Sequence, residues 1–362
     1  NLKNPLVKEA IQGKVVMVTG GAGSIGSELV RQLRIYNPQK IIVVDNAETP
    51  VFELRQELYK DEHENQHLCD FLIADVTDSR RMDQVFNVYK PALVYHAAAY
   101  KHVPLMEDHP EEALRVNVFG TRIIADLSVK YEVERFVMVS TDKAVRPTNV
   151  MGASKRLAEM YCQSMGQSGK SQSKFITTRF GNVLGSNGSV VKIFRKQIQD
   201  GGPITVTHPD ITRFFMTIPE ACQLVLEASI MGHGSDIFVF DMGEPVKVAD
   251  LARKMVRLAG LKPDEDIEIT FTGLRPGEKL YEELLCSSEN TVETHHPKIM
   301  IAQVDQILNG SVIYLINELK EALGRNDQYK LVKILKRGIP EYRSNNSRFE
   351  KLDESLAESE SA

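Results

Sequence analysis

Along the first 180 residues, short apolar runs recur, each followed by a longer stretch in which apolar positions return every three or four residues. "KVVMVTG" (14–20), "KIIVVD" (40–45), "FLIAD" (71–75), "ALVYHAAA" (92–99), "RFVMVST" (135–141) and "KFITTRF" (174–180) are nearly unbroken and rich in β-branched residues. Such runs are strands buried on both faces, as in a parallel sheet covered by helices. The stretches between them predict helices over 24–36, 50–62, 80–89, 111–131 and 152–166. Pro110, ahead of "EEALRVNVFG", suits a helix start, with Glu111 and Glu112 at the positive end of the helix dipole. The alternation predicts an α/β fold, a Rossmann-type doubly wound parallel sheet, over residues 1–181.

After residue 181 the rhythm loosens. "GNVLGSNGS" reads as a Gly/Asn/Ser loop, followed by a helix over 190–199 and a short strand, "ITV". Pro219 opens a helix to about Met231, "DIFVFDM" is a strand, and "VKVADLARKMVRLAG" is a capped amphipathic helix. A strand "IEITF" and a short helix from Gly277 complete a smaller, less regular α/β lobe over residues 182–342. The segment 343–362, "RSNNSRFEKLDESLAESESA", is rich in Ser and Glu and is expected to fray.

Composition narrows the function classes. A balance of 44 basic against 49 acidic side chains argues against a general nucleic-acid binder, although local basic groups could still meet a phosphorylated ligand. Cys69, Cys162, Cys222 and Cys286 form no CxxC pair, and the adjacent His295 and His296 lack ligand spacing, so neither a disulfide framework nor a metal site is expected. A reducing, cytoplasmic setting follows. No apolar run approaches the ~20 residues that cross a bilayer. The chain starts at Asn1 and not Met, so a missing upstream segment is expected.

"TGGAGSIG" (19–26) follows the first strand and opens the first helix. Gly21, Gly23 and Gly26 satisfy GxGxxG, and Gly20, Gly23 and Gly26 satisfy the TGxxGxxG variant. Glycines there permit a tight turn and close approach of a pyrophosphate, while the free N–H groups of Ser24, Ile25 and Gly26 at the helix start face its charge. Asp45 ends the second strand, where a carboxylate accepts from a ribose 2′-hydroxyl and repels a 2′-phosphate, so NAD is favoured over NADP. Asp75 and Val76, after the third strand, are placed beside an adenine. Ala97, Ala98 and Ala99 leave room where the fourth strand passes a cofactor.

From here the chain resembles the extended short-chain dehydrogenase/reductase superfamily, and more narrowly its UDP-N-acetylglucosamine 4,6-dehydratases. The stretches that carry the likeness are "VTGGAGSIGSEL", "HAAAYKHVPLME", "NVFGT", "STDKAV", "ASKRLAE", "RFGNVLGSNGSV", "TRFFMT" and "LRPGEKLYEELL". They occur in order over roughly three quarters of the chain. The resemblance implies an NAD cofactor and a UDP-sugar. It is nearest to a branch whose longer members carry an amino-terminal membrane region, which would put this part at the cytoplasmic face of the membrane. A homo-oligomer is expected.

The family usually places a tyrosine four residues before the helix lysine, here Lys155. That position is Met151, which exchanges no proton. The branch sharing this replacement is associated with retention at sugar C5. The implied chemistry passes a hydride from C4 to the cofactor, removes the C5 proton, expels water from C6 and returns the hydride there. Asp142 and Lys143 follow a strand end, where such sheets place their sites. They are the implied acid and base, a coupled pair sharing a proton, although an ordinary ion pair would contain the same residues. Thr141 would relay or orient the proton of the 4-hydroxyl. Lys155 would hold the nicotinamide ribose.

Arg213 and Arg275 are candidates for a diphosphate clamp, because a planar guanidinium binds phosphate bidentately. Asn182, Lys101 and His102 are placed near the sugar. Asn117 is expected to bond backbone beside the site. Three other readings compete: a C5-inverting dehydratase, a UDP-sugar 4-epimerase, and a non-catalytic NAD-binding sensor or scaffold. Met151 argues against the epimerase, and the joint presence of Asp142, Lys143, Arg213 and Arg275 against the scaffold.

Overall fold

The computed structural model describes residues 4–59, 67–169, 172–284, 290–304, 309–325 and 327–354. All six apolar runs form strands: β1 (Val15–Thr19), β2 (Lys40–Asp45), β3 (Cys69–Ile73), β4 (Leu93–His96), β5 (Arg135–Val139) and β6 (Lys174–Arg179). Helix α1 (Pro5–Ile11) precedes them. Between them run α2 (Ser24–Arg34), α3 (Glu48–Leu58), α4 (Ser79–Tyr89), α5 (Val103–Asp108), α6 (Pro110–Ala113), α7 (Thr121–Lys130) and α8 (Val150–Gln167). The end of the helix predicted over 50–62 lies outside the described residues, as does Cys286.

Alternate residues along each strand enter opposite cores. Val16, Val18, Ile41 and Val43 pack with α1, α2, α3 and a later helix, α10 (see below), whereas Met17, Ile42 and Val44 pack with α4, α7 and α8. Both faces are therefore buried, which is why the strands read as continuous apolar runs and not as alternating ones. The helix predicted over 111–131 is interrupted by a π-helical stretch, Leu114–Gly120, that contains Asn117. Such stretches often mark functional positions. Asn117 Oδ1 accepts from Tyr100 N–H (2.8 Å), and its Nδ2 donates to Tyr100 O (3.0 Å) and Ser154 Oγ (2.9 Å).

The second half adds β7 (Asn182–Leu184), α9 (Val190–Gln199), β8 (Ile204–Val206), β9 (Thr212–Arg213), β10 (Phe215–Thr217) and α10 (Ile218–Met231). Then come β11 (Ser235–Phe240), β12 (Val246–Lys247), α11 (Val248–Leu258), β13 (Ile269–Phe271), β14 (Asn290–Glu293), β15 (Ile299–Gln303), α12 (Asn309–Leu323) and α13 (Gln328–Gly338). The main sheet has the order β14-β15-β11-β6-β5-β4-β1-β2-β3. From β11 to β3 it is parallel, and β15 and β14 extend it antiparallel. The order reverses at β1, so the crevice beyond β1 and β4 is where such sheets bind ligands.

Residues 182–342 are shared between two places. Phe194, Ile204, Val206, Ile211, Val248, Val256 and Ile269 form a separate core for the lobe. In contrast, β11, β14 and β15 join the main sheet, and Leu315, Ile316, Leu331 and Leu335 of α12 and α13 share a core with Leu157 and Tyr161 of α8.

Three expectations are corrected. The loop read over "GNVLGSNGS" begins as a strand, because β7 pairs in parallel with β10. No helix starts at Gly277 among the described residues: its N–H donates to Asn345 O (2.7 Å), and its carbonyl accepts from the side chains of Thr148 and Asn149 (both 2.9 Å). Backbone groups committed to other segments cannot enter a helical ladder. The tail does not fray through residue 354. Tyr342 and Phe349 are fully buried, Phe349 meets the Tyr329 ring edge-on, and Lys336 pairs with Asp353 at 2.7 Å. Composition counted the Ser and Glu residues and overlooked these anchors; residues 355–362 lie outside the described part.

Candidate active site

The first turn positions a dinucleotide cleft. Gly20 has φ +65°, and a Cβ there would lie 2.5 Å from Ala98 N, so only glycine lets β1 and β4 end this close together. A Cβ on Gly26 would overlap Gly20 O. Helix α2 has Gly23 at its N-cap and no side-chain cap, so its leading N–H groups keep their capacity for an anion. Gly20, Gly23, Asp45, Asp75, Val76, Ala97, Ala98 and Ala99 line one cleft, joined by Asn46 and Tyr100. The Asp45 carboxylate accepts from Ala22 N–H and Ala47 N–H, both at 3.0 Å. Asp75 accepts from the Thr77 N–H and hydroxyl (2.8 Å each) and from Asn46 Nδ2 (3.2 Å). Burial pushes the Asp75 carboxyl up, but those hydrogen bonds outweigh it and hold it below the usual range. Ser24 and Ile25 form the first turn of α2 and do not line the cleft; Ile25 packs into the core.

Beyond the ends of β5 and β6 lies a buried charge cluster. Asp142 Oδ1 accepts from Thr141 Oγ1 (2.9 Å) and Lys143 Nζ (3.0 Å), joining the three groups through one oxygen. Its Oδ2 is buried with no hydrogen-bond partner among the described residues, against Gly181. Lys143 Nζ also donates to Asn182 Oδ1 (3.3 Å) and lies 3.5 Å from Glu282 Oε1. Arg213 Nε stands 3.8 Å from that same Glu282 oxygen, and its Nη2 bonds Glu278 (3.2 Å). Burial pulls the Lys143 ammonium down, but Asp142 and Glu282 together prevail and hold it above the usual lysine range. Lys143 therefore rests charged.

Helix α8 carries the next group. Asn149 caps it, accepting from Gly152 N–H (2.7 Å), and a side chain at Gly152 would collide with Lys143 O. Met151 is 2% exposed and belongs to the apolar core with Val150, Ala153 and Leu157. Lys155 is buried and donates to Val139 O (2.8 Å); burial pushes it down to about 8, although Glu159 opposes this. Nearby, His96 bridges Thr19 Oγ1 (2.7 Å) and Thr121 Oγ1 (3.0 Å), and burial lowers it to about 3, so its ring is neutral.

The other predicted substrate residues are spread out. Lys101 and His102 are exposed beyond β4, with Lys101 Nζ 3.4 Å from Ser186 Oγ and the His102 ring against Gly188. That loop also reaches the first turn of α2, since Asn187 N–H donates to Ser24 Oγ (3.0 Å). Arg213 is buried in the cluster, but Arg275 is not: its side chain is 57% exposed and meets Glu278 at 3.8 Å. Among the described residues, no group of His, Cys, Asp and Glu is placed to hold a metal ion, and no helix is long and apolar enough to cross a membrane.

Glu278 and Glu282 were missed. The acidic pair four apart in "LRPGEKLYEELL" was a signal, but helical spacing would not have found its role. The two carboxylates converge because an irregular segment wraps Arg213.

This fold, with an uncapped glycine turn and a Thr–Asp–Lys cluster centred on the buried Asp142, defines a dinucleotide-fold class of the extended short-chain dehydrogenase/reductase kind. Within it, the chain belongs to the polysaccharide biosynthesis protein family, which matches residues 16–304. It is 48% identical to the capsular polysaccharide biosynthesis protein CapD of Staphylococcus aureus over 332 residues, 92% of this chain and 54% of that protein. The chain thus spans about half the length of that relative. It is 36% identical to a UDP-glucose 4-epimerase of Rickettsia canadensis, over 76% of this chain and 79% of that protein. It is 32% identical to the UDP-N-acetylglucosamine 4,6-dehydratase (inverting) of Campylobacter jejuni subsp. jejuni serotype O:23/36, over 77% and 79% respectively. The solved structure of Pen from Bacillus thuringiensis superposes with a TM-score of 0.75 at 33% identity, covering 83% of this chain and 92% of that one.

Proposed function

We propose that this chain is the catalytic part of an NAD-dependent 4,6-dehydratase that converts UDP-N-acetylglucosamine to the UDP-4-keto-6-deoxy sugar with retention at C5. One observation carries the reading. Thr141, Asp142 and Lys143 are joined through a single carboxylate oxygen, while the tyrosine position of the neighbouring helix holds a buried methionine. The proton chemistry then falls to the cluster. The glycine turn and the Asp45 carboxylate fit NAD, and Arg213, Arg275 and Asn182 are the proposed partners of the UDP-sugar. On this reading the chain works in the cytoplasm as a homo-oligomer.

When bound, the nicotinamide supplies hydride acceptance from C4 and hydride return to C6. The chain's own residues handle the protons. The 4-hydroxyl releases one proton and the C6 oxygen needs one to depart as water. Thr141 Oγ1 passes the first to Asp142, and Asp142 delivers it to the C6 oxygen. Lys143, as the free amine, removes the C5 proton and restores it on the face it left. Because Lys143 rests as an ammonium, it must shed a proton before it acts, so turnover rises with pH through the neutral and alkaline range.

Identity with a 4-epimerase favours a second reading, inversion at C4 with no loss of water. Proton NMR of the protein incubated with UDP-N-acetylglucosamine separates the two. A dehydratase product shows a 6-methyl doublet and, with retention, a through-space contact between H3 and H5. UDP-N-acetylgalactosamine as the product would overturn the dehydratase reading, and a methyl product without that contact would overturn retention alone.

A further inference from the structure

Glu282 lies outside the Thr141–Asp142–Lys143 stretch in sequence, yet its side chain is 2% exposed and faces the same lysine. Its Oε1 stands between Lys143 Nζ (3.5 Å) and Arg213 Nε (3.8 Å), and its Oε2 is buried without a hydrogen-bond partner among the described residues. A buried carboxylate with one bare oxygen is costly unless its charge is used. Here the charge meets a lysine on the sheet side and an arginine on the lobe side.

We propose that Glu282 is a positioning residue for the reaction: it holds Lys143 and Arg213 together across the two parts of the molecule, and it makes the charge of Lys143 answer to two carboxylates in place of one. This rests on the dehydratase reading for its consequence, though not for its geometry. The proton count shows why the charge matters. The proton released by the 4-hydroxyl is the one that departs with the C6 oxygen, so Lys143 must enter the reaction already free of its own. Every group that favours the ammonium delays that state.

The groups facing Lys143 are few. Asp142, on its own turn, and Glu282 favour the ammonium; Arg213, from β9, disfavours it, and Lys279 is a further cation within electrostatic reach. Asn182 offers only a neutral acceptor. Replacing Glu282 with glutamine removes one favouring charge and leaves Arg213 facing the lysine unshielded. Both changes act in the same direction. At 3.5 Å, even water-like screening makes a unit charge worth about one pKa unit, and weaker screening makes it more.

The test compares wild type, Glu282→Gln and Glu282→Asp, all checked for native circular dichroism. The rate of 4-keto-6-deoxy product formation from UDP-N-acetylglucosamine is measured from about pH 6 to 9.5, on the acid side of the Lys143 titration, where easier loss of the lysine proton displaces the rising limb along the pH axis. In parallel, Lys143 acylation by acetic anhydride is followed up to about pH 11.5 by peptide mass spectrometry, which needs no activity and reaches past a midpoint above the usual lysine value. In Glu282→Gln the acid limb of the rate profile and the labelling midpoint should both move down by about one pH unit or more. Glu282→Asp, which keeps the charge, should return both most of the way. A purely structural role would lower the rate at every pH and leave the labelling midpoint in place, and that result overturns the proposal. Glu282→Asp moving as far as Glu282→Gln also overturns it. If wild type makes no dehydrated product while the labelling midpoint still falls in Glu282→Gln, the dehydratase reading fails and the assignment of Glu282 stands.

Discussion

Glu159→Ala breaks a buried ion pair outside the cluster. Glu159 sits one turn beyond Lys155 on α8, and both its oxygens are engaged in the interior. Arg179 Nε and Nη2 donate to Oε1 and Oε2 at 2.9 and 2.7 Å, and Ser140 Oγ donates to Oε1 at 2.6 Å. The side chains are 0% and 1% exposed for Glu159 and Arg179. Removing one partner of such a pair leaves a guanidinium in a low-dielectric interior without its carboxylate, which costs about 3–5 kcal/mol. With about 2.1 cal/mol/K of unfolding entropy per residue, 362 residues give about 0.76 kcal/mol/K, so the melting temperature should fall by about 4–7 °C.

Scanning calorimetry at pH 7.5 reads this directly, and a variant melting within about 1 °C of wild type would refute the reasoning. Acid provides a second check. Burial pushes the Glu159 carboxyl up, but Arg179, Arg156 and Ser140 outweigh it and hold it below the usual range. Its contribution is therefore present above the unfolded value of about 4.3 and lost as pH falls through the lower folded value. The gap between variant and wild type should narrow in acid. A gap that widened there would reverse the sign of the argument.

Asp142→Asn and Lys143→Ala should each lower turnover by ~10²-fold or more while changing substrate affinity much less, the pattern of a lost acid or base; a near-wild-type kcat in either would remove that residue from the mechanism. Asp45→Ala should weaken NAD and reduce discrimination against NADP, as measured by titration of the protein with each dinucleotide; unchanged preference would mean that Asp45 serves only its two backbone partners, Ala22 and Ala47.

Local pattern by itself determined the six parallel strands, their helices and the glycine turn. Strands buried on both faces must be continuously apolar, and a turn that brings β1 within contact of Ala98 must be glycine at Gly20. Adjacency in sequence likewise put Asp142 and Lys143 on one turn after a strand end, whereas the 3.0 Å approach of Lys143 Nζ to Asp142 Oδ1 is set by side-chain geometry in the fold. What tertiary structure alone decided is which distant groups face that pair. Glu282 and Arg213 reach Lys143 from another part of the chain, and with them the balance that keeps the lysine charged. The same holds for the tail: Tyr342 and Phe349 look like isolated apolar residues in a polar segment until α13 and its neighbours supply the core that buries them. Charge and burial are sums over everything nearby in space, and residues 143 and 282 become neighbours only when the chain folds.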